Sequence, residues 1–301
     1  MDFPKISIVT PSYNQGQFIE QTILSVLNQN YPNLEYIIID GGSTDSTVNV
    51  IKKYEHRLKY WISEKDRGQA DAINKGLQFC TGEVFNFINS DDYLAEGALY
   101  KIAEAFADIV TGIVAGTVSN INEEGIEDLW VNKNLEIEKL LKNDSEVIYH
   151  QPGVWLRTEI VKKVGEFNID YRYCFDQEHF YKYLLYNNKV CYLPDVLAFF
   201  RLHKDSKTVK ESEFFFWEFN KMFKAFWNSQ SGTPLENLAK RRSMDYEWPL
   251  LNGSINRGDR GRLKNFLLAS KAIMNDPKYR LNKKSIGWLK HILLGEKNKM
   301  K

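Results

Sequence analysis

LEYIIIDGGSTD, residues 34–45, is an apolar run that ends in glycines and polar residues, and the first hundred residues repeat this pattern. The other apolar runs are KISIVT, LKYWIS and VFNFIN, which begin at residues 5, 58 and 84. Apolar residues at helical spacing lie between the runs and predict helices over residues 18–29, 47–54 and 71–80. Continuous apolar strands separated by helices are typical of a mainly parallel sheet that helices cover on both faces. The predicted fold class is therefore α/β.

Composition narrows the class of protein. The chain has 301 residues, of which 43% are hydrophobic and 26% are charged, and no apolar stretch approaches the roughly 18 residues of a membrane-spanning helix. Cys80, Cys174 and Cys191 are odd in number and lack C-x-x-C spacing, which argues for a reducing compartment. The N-terminus has no apolar segment of the secretory kind. We therefore expect a cytoplasmic protein, and we expect no nucleic acid among its partners.

The second part of the chain is less regular. Its patterns predict a strand over residues 108–119, a helix over 135–142, a polar turn between a strand and a helix in 147–167, a helix over 174–188 and a pair of strands in 189–203. Beyond about residue 205 we predict helices, interrupted at Pro234, Pro249 and Pro277. The predicted division is a domain over residues 1–208, with halves 1–108 and 109–208, and a helical C-terminal extension over 209–301.

Polar clusters follow the carboxyl ends of the four predicted parallel strands, where such sheets bind ligands. They lie at residues 10–14, 40–45, 64–71 and 89–92. In the last cluster Asp91 and Asp92 are adjacent, and like charges raise each other's pKa unless a cation or a donor compensates them. The alternative is a solvated turn that caps the following helix.

The loop after the first strand, TPSYNQGQF, contains neither a G-x-G-x-x-G turn nor a P-loop lysine. Backbone amides of this loop therefore do not wrap a diphosphate. If a nucleotide binds, a divalent cation held by carboxylates would compensate its phosphates.

Several segments carry a resemblance in their order and spacing. Residues 6–47, SEKDRGQADAINKGL (63–77) and NFINSDDYL (86–94) resemble the nucleotide-binding half of family 2 inverting glycosyltransferases. HQPGVWLRTEIVKKVGEFN (150–168), FDQEHFYKYL (175–184) and FFRLHKDSKT (199–208) resemble the acceptor-side blocks of that family. The resemblance covers about residues 5–208 and implies the GT-A fold, in which helices flank a Rossmann-like, mainly parallel sheet.

The resemblance implies roles for the residues at the strand ends. Asp40 would accept a hydrogen bond from the nucleobase, and Asp71 would lie near the base or ribose. Asp91 and Asp92 correspond to the D-x-D motif, in which Asn89 replaces the first aspartate. We expect Asp92 to ligate Mn²⁺ or Mg²⁺ and Asp91 to contact the ribose or a water, although either carboxylate could be the direct ligand. The residues expected to line the base and ribose are Thr10, Pro11, Tyr13 and Asn14.

The acceptor-side blocks supply the remaining candidates. Asp176 matches the aspartate that would act as the general base of an inverting transfer, a role that contributes about 10²–10⁴-fold to rate. Glu178 lies two residues away and off the same helical face, so it is either a second functional carboxylate or a structural one. His203 could bind the metal or donate to the diphosphate. The other candidates on the acceptor or phosphate side are His150, Gln151, Arg201 and Lys207.

The resemblance predicts a metal-dependent inverting hexosyltransferase that uses a nucleotide diphosphate sugar, with UDP favoured over GDP. The acceptor would be a glycan, carried on a polyprenyl diphosphate, in capsule, exopolysaccharide or O-antigen synthesis. The alternatives are a non-catalytic sugar-nucleotide-binding subunit and a sugar nucleotidyltransferase, although the latter lacks its glycine-rich loop after the first strand.

The C-terminal extension adds a prediction about location. Residues 211–228 are rich in aromatic side chains, and from residue 257 onward the chain has 13 basic and 3 acidic residues. These features predict either a packed helical pair or a peripheral contact with the inner face of the plasma membrane.

Overall fold

A computed structural model describes most of the chain: residues 3–122, 124–125, 127–204, 206 and 212–257, together with positions 264, 266–267, 269–270, 273, 289–290 and 292. The chain forms two units. One contains Met1–Leu140 and Asp144–Glu211, and the other contains Leu141–Asn143 and Ser212–Lys301. The predicted domain boundary at residues 208–209 lies close to the point where the first unit ends. No helix among the described residues is long and apolar enough to cross a membrane.

Nine strands and nine α-helices have defined bounds in the described part of the chain, and the described positions beyond residue 257 are also helical. The strands are β1 (Ile6–Ser12), β2 (Leu34–Asp40), β3 (Tyr60–Ser63), β4 (Val84–Phe87), β5 (Tyr93–Leu94), β6 (Ile113–Ile121), β7 (Glu127–Val131), β8 (Val154–Arg157) and β9 (Val190–Arg201). The helices are α1 (Ile19–Leu27), α2 (Thr47–Tyr54), α3 (Gln69–Leu77), α4 (Ala98–Ala105), α5 (Ile137–Lys142), α6 (Thr158–Val164), α7 (Phe175–Leu184), α8 (Ser212–Ser229) and α9 (Glu236–Arg257). Short 3₁₀ turns occupy Glu55–Arg57 and Gln151–Gly153.

All nine strands belong to one mixed sheet. Its order is β3-β2-β1-β4-β8-β6-β9-β5, with β7 paired to β6. Strands β1 to β4 pair with one another in parallel, whereas β8 is antiparallel to both β4 and β6. The predicted α/β fold is confirmed: the first four strands form a continuous parallel region, and β6 and β9 form a further parallel pair in the other half. Ser12 pairs with Asp40 and Asp40 with Ser63, so the carboxyl ends of three strands meet at one edge.

The core explains why the first strands form where the apolar runs predict them. Ile6 and Ile8 of β1 are fully buried with Ile19 and Ile23 of α1 in the main hydrophobic cluster. Each such side chain contributes about 1.5–3 kcal/mol through removal from water. Six of the seven β2 residues are buried, as expected of a central parallel strand that helices cover on both faces.

Two predictions about the later elements are wrong. Residues 189–203 contain one long strand, β9, instead of a strand pair, because a register shift opposite β6 between Ala115 and Thr117 accommodates Pro194 within the strand. Helix α9 continues through Pro249, since a proline within a helix removes one hydrogen bond and does not always end the helix. Pro234 does separate α8 from α9, and Pro277 lies outside the described residues.

The second unit contains a helical pair with an aromatic contact. The Tyr246 ring of α9 lies 5.2 Å from the Phe219 ring and 5.4 Å from the Phe223 ring of α8. The Arg242 guanidinium lies 4.9 Å from the centre of the Tyr246 ring, which favours a cation–π contact. Much of the aromatic segment of α8 therefore packs against α9, while Phe216 and Trp217 remain 47% and 54% exposed.

Candidate active site at the strand ends

Hydrogen bonds join the loop after β1 to the loop after β2. Asn14, which has a φ of 52°, donates its backbone N–H to the Ser43 hydroxyl at 2.7 Å and accepts from the Thr44 N–H at 2.9 Å. Asparagine tolerates this left-handed conformation better than most residues. Gly16 N–H donates to Asp45 Oδ2 at 2.9 Å. The two loops thus form one fixed edge beside the sheet.

Asp40 organises the loop that follows β2. Its carboxylate is fully buried and accepts from the Gly42 N–H, from both the N–H and the hydroxyl of Ser43, and from the Ser63 hydroxyl at 2.6 Å. These donors satisfy the charge that burial would otherwise make costly. Contact of Asp40 with a nucleobase stays a prediction.

Thr10 requires a correction. Its side chain is fully buried, and its hydroxyl lies 3.1 Å from the Tyr36 hydroxyl inside the sheet. Strand β1 runs two residues beyond the predicted end, so the side chain of Thr10 does not line a ligand surface. Pro11 is buried as well, whereas Tyr13 is 60% exposed and Asn14 is exposed.

Asp71 lies in the first turn of α3, and its carboxylate contacts Arg67, which precedes the helix, and Lys75, one turn further along it. It accepts from the Arg67 N–H at 3.1 Å and from the Arg67 guanidinium at 3.0 Å, and Lys75 lies 3.7 Å away. Burial alone would raise the pKa of Asp71, but these hydrogen bonds and charges lower the pKa overall.

Asp66 is a half-buried carboxylate that sequence reasoning did not single out. Its Oδ2 lies 2.7 Å from the position that a Cβ on Gly41 would take, so the glycine after Asp40 leaves room for it. Burial raises the pKa of Asp66 despite its hydrogen bond from the Gly68 N–H. In the sequence, the glycine directly after Asp40 was the sign that another group packs closely against this strand end.

The Asp91–Asp92 loop is held from three other parts of the fold. The Thr22 hydroxyl of α1 lies 2.9 Å from the Ser90 carbonyl oxygen and 2.6 Å from that of Asp92. The Arg201 N–H of β9 donates to Asp92 Oδ1 at 3.0 Å. The Asn89 amide donates to Asp92 Oδ2 at 3.1 Å and accepts from Gln69 of α3 at 2.5 Å. Asp92 is buried, and its two carboxylate oxygens are both engaged.

The charge on this loop is incompletely compensated. Burial, and then the charge of Asp91, raise the pKa of Asp92 well above its ordinary value. Asp91 itself keeps about 20% of its side chain exposed, and its Oδ2 lies 3.1 Å from His203 Nε2. The structure therefore brings Asp91, Asp92 and His203 together, and it exposes Asp91 more than Asp92.

Arg201 and Phe18 border this acidic loop. The Phe18 ring lies 4.8 Å from the His203 ring and 4.6 Å from the Arg201 guanidinium carbon. The guanidinium also lies 5.5 Å from the Tyr93 ring and donates to Gln21 Oε1 at 2.7 Å. The aromatic rings and Gln21 hold the cationic side chain beside the strand end, where anionic groups of a ligand would arrive.

The donor chemistry of this cluster fits a divalent cation. Among the described residues no group of three histidine, cysteine or acidic side chains could hold an ion alone. The Asp91 carboxylate and the His203 imidazole offer two donors, and Mg²⁺ or Mn²⁺ commonly takes its other ligands from substrate phosphates and water.

Asp176 lies in the first turn of α7, on the wall of a small cavity. The cavity has a volume of about 20 Å³, and its polar lining comes from Asp176, Tyr149, Gln151, His179 and Asn86. Burial, and then the charge of Asp176, raise the pKa of Tyr149. Gln151 donates its amide to Asn86 Oδ1 at 2.8 Å and to the Phe87 carbonyl at 3.0 Å. Gln151 and Asp176 are thus brought to one place.

The remaining acceptor-side candidates have partners in the protein. Glu178 is buried, and its Oε1 lies 2.6 Å from Lys182 on the next turn of α7. His150 Nε2 lies 2.8 Å from Asn120 Oδ1, and burial lowers the pKa of His150 to about 4. Their functional roles stay predictions. Lys207 lies outside the described residues.

Comparisons with known proteins agree with this fold. Residues 7–165 match the model of the family described as Glycosyl transferase family 2. A Haemophilus influenzae protein described as an uncharacterized glycosyltransferase is 30% identical over 232 residues, covering 74% of this chain and 90% of that protein.

Two further proteins are similar to this chain and have more specific names. The GalNAc(5)-diNAcBac-PP-undecaprenol beta-1,3-glucosyltransferase of Campylobacter jejuni is 31% identical over 144 residues, which cover 45% of this chain and 46% of that protein. The crystal structure of S. aureus TarS 1-349 in complex with UDP-GlcNAc is similar in fold, with a TM-score of 0.67, 18% identity, and coverage of 97% of this chain and 88% of that chain.

Proposed function

Because the chain belongs to glycosyl transferase family 2, we propose that it transfers a sugar from a nucleotide diphosphate sugar to a hydroxyl of a glycan acceptor, with inversion. A UDP-sugar is favoured as the donor. The observation that carries the proposal is the cluster at the end of β4, where Asp91 contacts His203 at 3.1 Å beside the Arg201 guanidinium. This cluster offers ligands for a cation together with a fixed positive charge for a diphosphate.

Asp91 and His203 are the residues that we propose as metal ligands. This differs from the sequence-based expectation that Asp92 binds the ion directly, because both oxygens of Asp92 already accept hydrogen bonds inside the protein. Asp92 instead fixes Arg201 and the loop that carries Asp91. Bound Mn²⁺ or Mg²⁺ would neutralise charge on the departing diphosphate.

Asp176 is the proposed general base. It takes the proton of the acceptor hydroxyl while the hydroxyl oxygen forms a bond to the anomeric carbon and the bond from that carbon to the diphosphate oxygen breaks. A single displacement of this kind inverts the anomeric centre. Arg201 stabilises the negative charge that the leaving nucleoside diphosphate acquires.

The acceptor is proposed to be a glycan on a polyprenyl diphosphate. The support is the name of the C. jejuni relative, whose own acceptor is linked to undecaprenol through a diphosphate. The UDP-GlcNAc bound in the TarS complex supports the preference for a UDP-sugar. A cytoplasmic location and peripheral contact with the inner face of the plasma membrane stay predictions, in which Phe216 and Trp217 of α8 would face the lipid.

Calorimetry and kinetics on one pair of variants test the proposal. UDP, GDP, CDP and dTDP are titrated with and without Mn²⁺, and release of UDP from UDP-sugars is then measured. Asp176→Asn should lower turnover by about 10²–10⁴-fold, since it removes the base, while UDP affinity stays unchanged. Asp170→Asn, at an exposed aspartate that does not line the cavity of Asp176, is the control and should keep most of the activity.

Three outcomes would contradict the proposal. Unchanged turnover in Asp176→Asn would exclude this residue as the base. Absence of binding by all four nucleotides to folded protein would exclude a nucleotide-sugar site. Tight nucleotide binding without any turnover in the wild type would favour the non-catalytic subunit.

A further inference from the structure

A row of side chains crosses three strands beside the candidate site. Asp128 of β7 pairs in register with Asn120 of β6, and Asn120 pairs with Phe200 of β9. Because side chains on alternate residues share a face of a sheet, Trp130 lies on the same face of β7 as Asp128. The row therefore has Trp130 and the carboxylate of Asp128 at its β7 end, the amide of Asn120 in the middle and the ring of Phe200 at its β9 end.

Trp130 is fixed in orientation although its side chain is 42% exposed. Its indole N–H donates to Asp128 Oδ2 at 2.8 Å, and its ring lies 5.4 Å from the His150 ring in an edge-on arrangement. His150 is held in turn, with Nε2 2.8 Å from Asn120 Oδ1 and its ring 4.8 Å from the Phe200 ring.

Such an arrangement lowers the cost of binding a flat apolar surface. An exposed side chain normally loses rotamer freedom when a ligand packs on it, whereas this indole is already held in place. Rigid tryptophan rings therefore make efficient contact surfaces, with an apolar body and a polar handle.

The row adjoins both parts of the candidate site along the chain. His150 directly precedes Gln151, which lines the same cavity as Asp176. Phe200 directly precedes Arg201, whose N–H donates to Asp92. Trp130 is therefore connected, through His150 and Phe200, to two chain segments that carry groups of the proposed active site.

We propose that Trp130, supported by His150 and Phe200, is a stacking surface for a pyranose ring of the acceptor glycan. The inference rests on the proposed function and deepens it by assigning a second acceptor sugar, one that does not carry the attacking hydroxyl. The C–H face of the pyranose packs on the indole, and its hydroxyl groups meet the Asp128 carboxylate at the polar edge. This mixture of aromatic and polar groups fits carbohydrate better than a purely apolar partner.

The experiment measures binding of defined sugars by saturation-transfer NMR in the presence of UDP and Mn²⁺. The probes are N,N′-diacetylchitobiose, cellobiose and lactose. At least one should bind the wild type, and Trp130→Ala should weaken it about tenfold, equivalent to about 1.4 kcal/mol. Trp130→Phe should keep part of the binding, and Asp128→Ala should give an intermediate loss because it releases the indole.

Leu129→Ala is the matched control. Leu129 is 58% exposed on the neighbouring position of β7 and points to the other face of the sheet, so its removal should leave disaccharide binding unchanged. UDP affinity, measured by calorimetry, should be the same in all four variants. An unchanged UDP affinity also shows that each variant is folded.

Two results would overturn the inference without affecting the donor site. One is binding of UDP by the wild type with no binding of any disaccharide. The other is equal disaccharide binding by the wild type and Trp130→Ala, or an equal loss in Leu129→Ala, which would indicate a general apolar contact. Failure of UDP itself to bind would instead contradict the proposed function.

Discussion

Two buried carboxylates lie at opposite ends of the parallel half of the sheet, and they differ in how the protein compensates them. Glu35, near the start of β2, accepts from the Ser7 hydroxyl at 2.8 Å and from the N–H and hydroxyl of Thr81 at 2.8 and 2.6 Å. Lys5 lies 3.5 Å away. Burial alone would raise the pKa of Glu35, but these donors lower it to about 2.

Asp92, which follows β4, has fewer donors and a like charge beside it. It accepts two hydrogen bonds, and burial together with the charge of Asp91 raises its pKa. The protein therefore compensates the negative charge of Glu35 with its own donors and leaves negative charge uncompensated at the Asp91–Asp92 loop. Uncompensated charge of this kind is a property of binding sites, because a ligand supplies what the protein lacks.

The largest expected effect is on ligand binding, which should depend on the Asp91–Asp92 loop and not on Glu35. Asp91→Asn should lower the Mn²⁺-dependent affinity for UDP by at least about 100-fold, since it removes a proposed metal ligand while keeping the shape of the side chain. Glu35→Gln should leave that affinity unchanged. Calorimetry with and without Mn²⁺ measures both. If Asp92→Asn abolished metal dependence and Asp91→Asn did not, the direct ligand would be Asp92.

The second expected effect concerns stability at the other end of the sheet. Glu35→Gln should lower the free energy of unfolding by about 1–3 kcal/mol, because a neutral amide replaces an acceptor of three hydrogen bonds and leaves at least one donor unpaired. Urea denaturation at neutral pH measures the change. Glu104→Gln, an exposed carboxylate on α4, is the control and should change stability little.

The effect of Glu35→Gln on the free energy of unfolding should also depend on pH. The pKa of Glu35 is about 2 in the folded protein and near its ordinary value of 4.5 when unfolded. A lowered folded pKa contributes stability that is present above about pH 4.5 and is lost as the pH falls towards 2. The stability difference between wild type and Glu35→Gln should therefore shrink over that range. A difference that stayed constant down to pH 2 would show that packing, and not charge, stabilises this site.

Low pH also protonates two buried histidines, and it does so equally in the wild type and in Glu35→Gln. Burial lowers the pKa values of His150 and His179 to about 4. Their contribution to stability is present above their unfolded pKa of 6.5 and is lost as the pH falls through 4. Because wild type and Glu35→Gln share these histidines, the effect cancels in the difference between them.

The parallel strands β1 to β4 and the later strands also differ in how far the sequence could predict them. Strands β1 to β4 are apolar runs with polar residues at their ends, so local pattern could predict where they lie along the chain and which of their ends carry the candidate site. The predicted strand pair in 189–203 was wrong because a register shift opposite β6 is a property of pairing between distant segments. The burial of Thr10 depended on a two-residue extension of β1.

Long-range contacts decide the roles of individual side chains at the site. Nothing near Asp92 in the sequence indicates that the N–H of Arg201, 109 residues later, occupies one of its oxygens. Trp130 was not singled out either, because its fixed orientation depends on His150 and Asp128 together. Local pattern could therefore locate the acidic loop but could not distinguish Asp91 from Asp92.

The smallest expected effect is the most direct test of the charge difference between the two ends. Without metal or nucleotide, Asp91→Asn should raise the free energy of unfolding by about 0.5–1 kcal/mol, because it removes the charge that opposes ionisation of buried Asp92. Urea denaturation beside Asp170→Asn, an exposed control, measures the change. The variant would thus gain stability while losing affinity, the opposite of Glu35→Gln. A net loss of stability would mean that the contact between Asp91 and His203 outweighs the repulsion, and that the fold compensates both ends of the sheet alike.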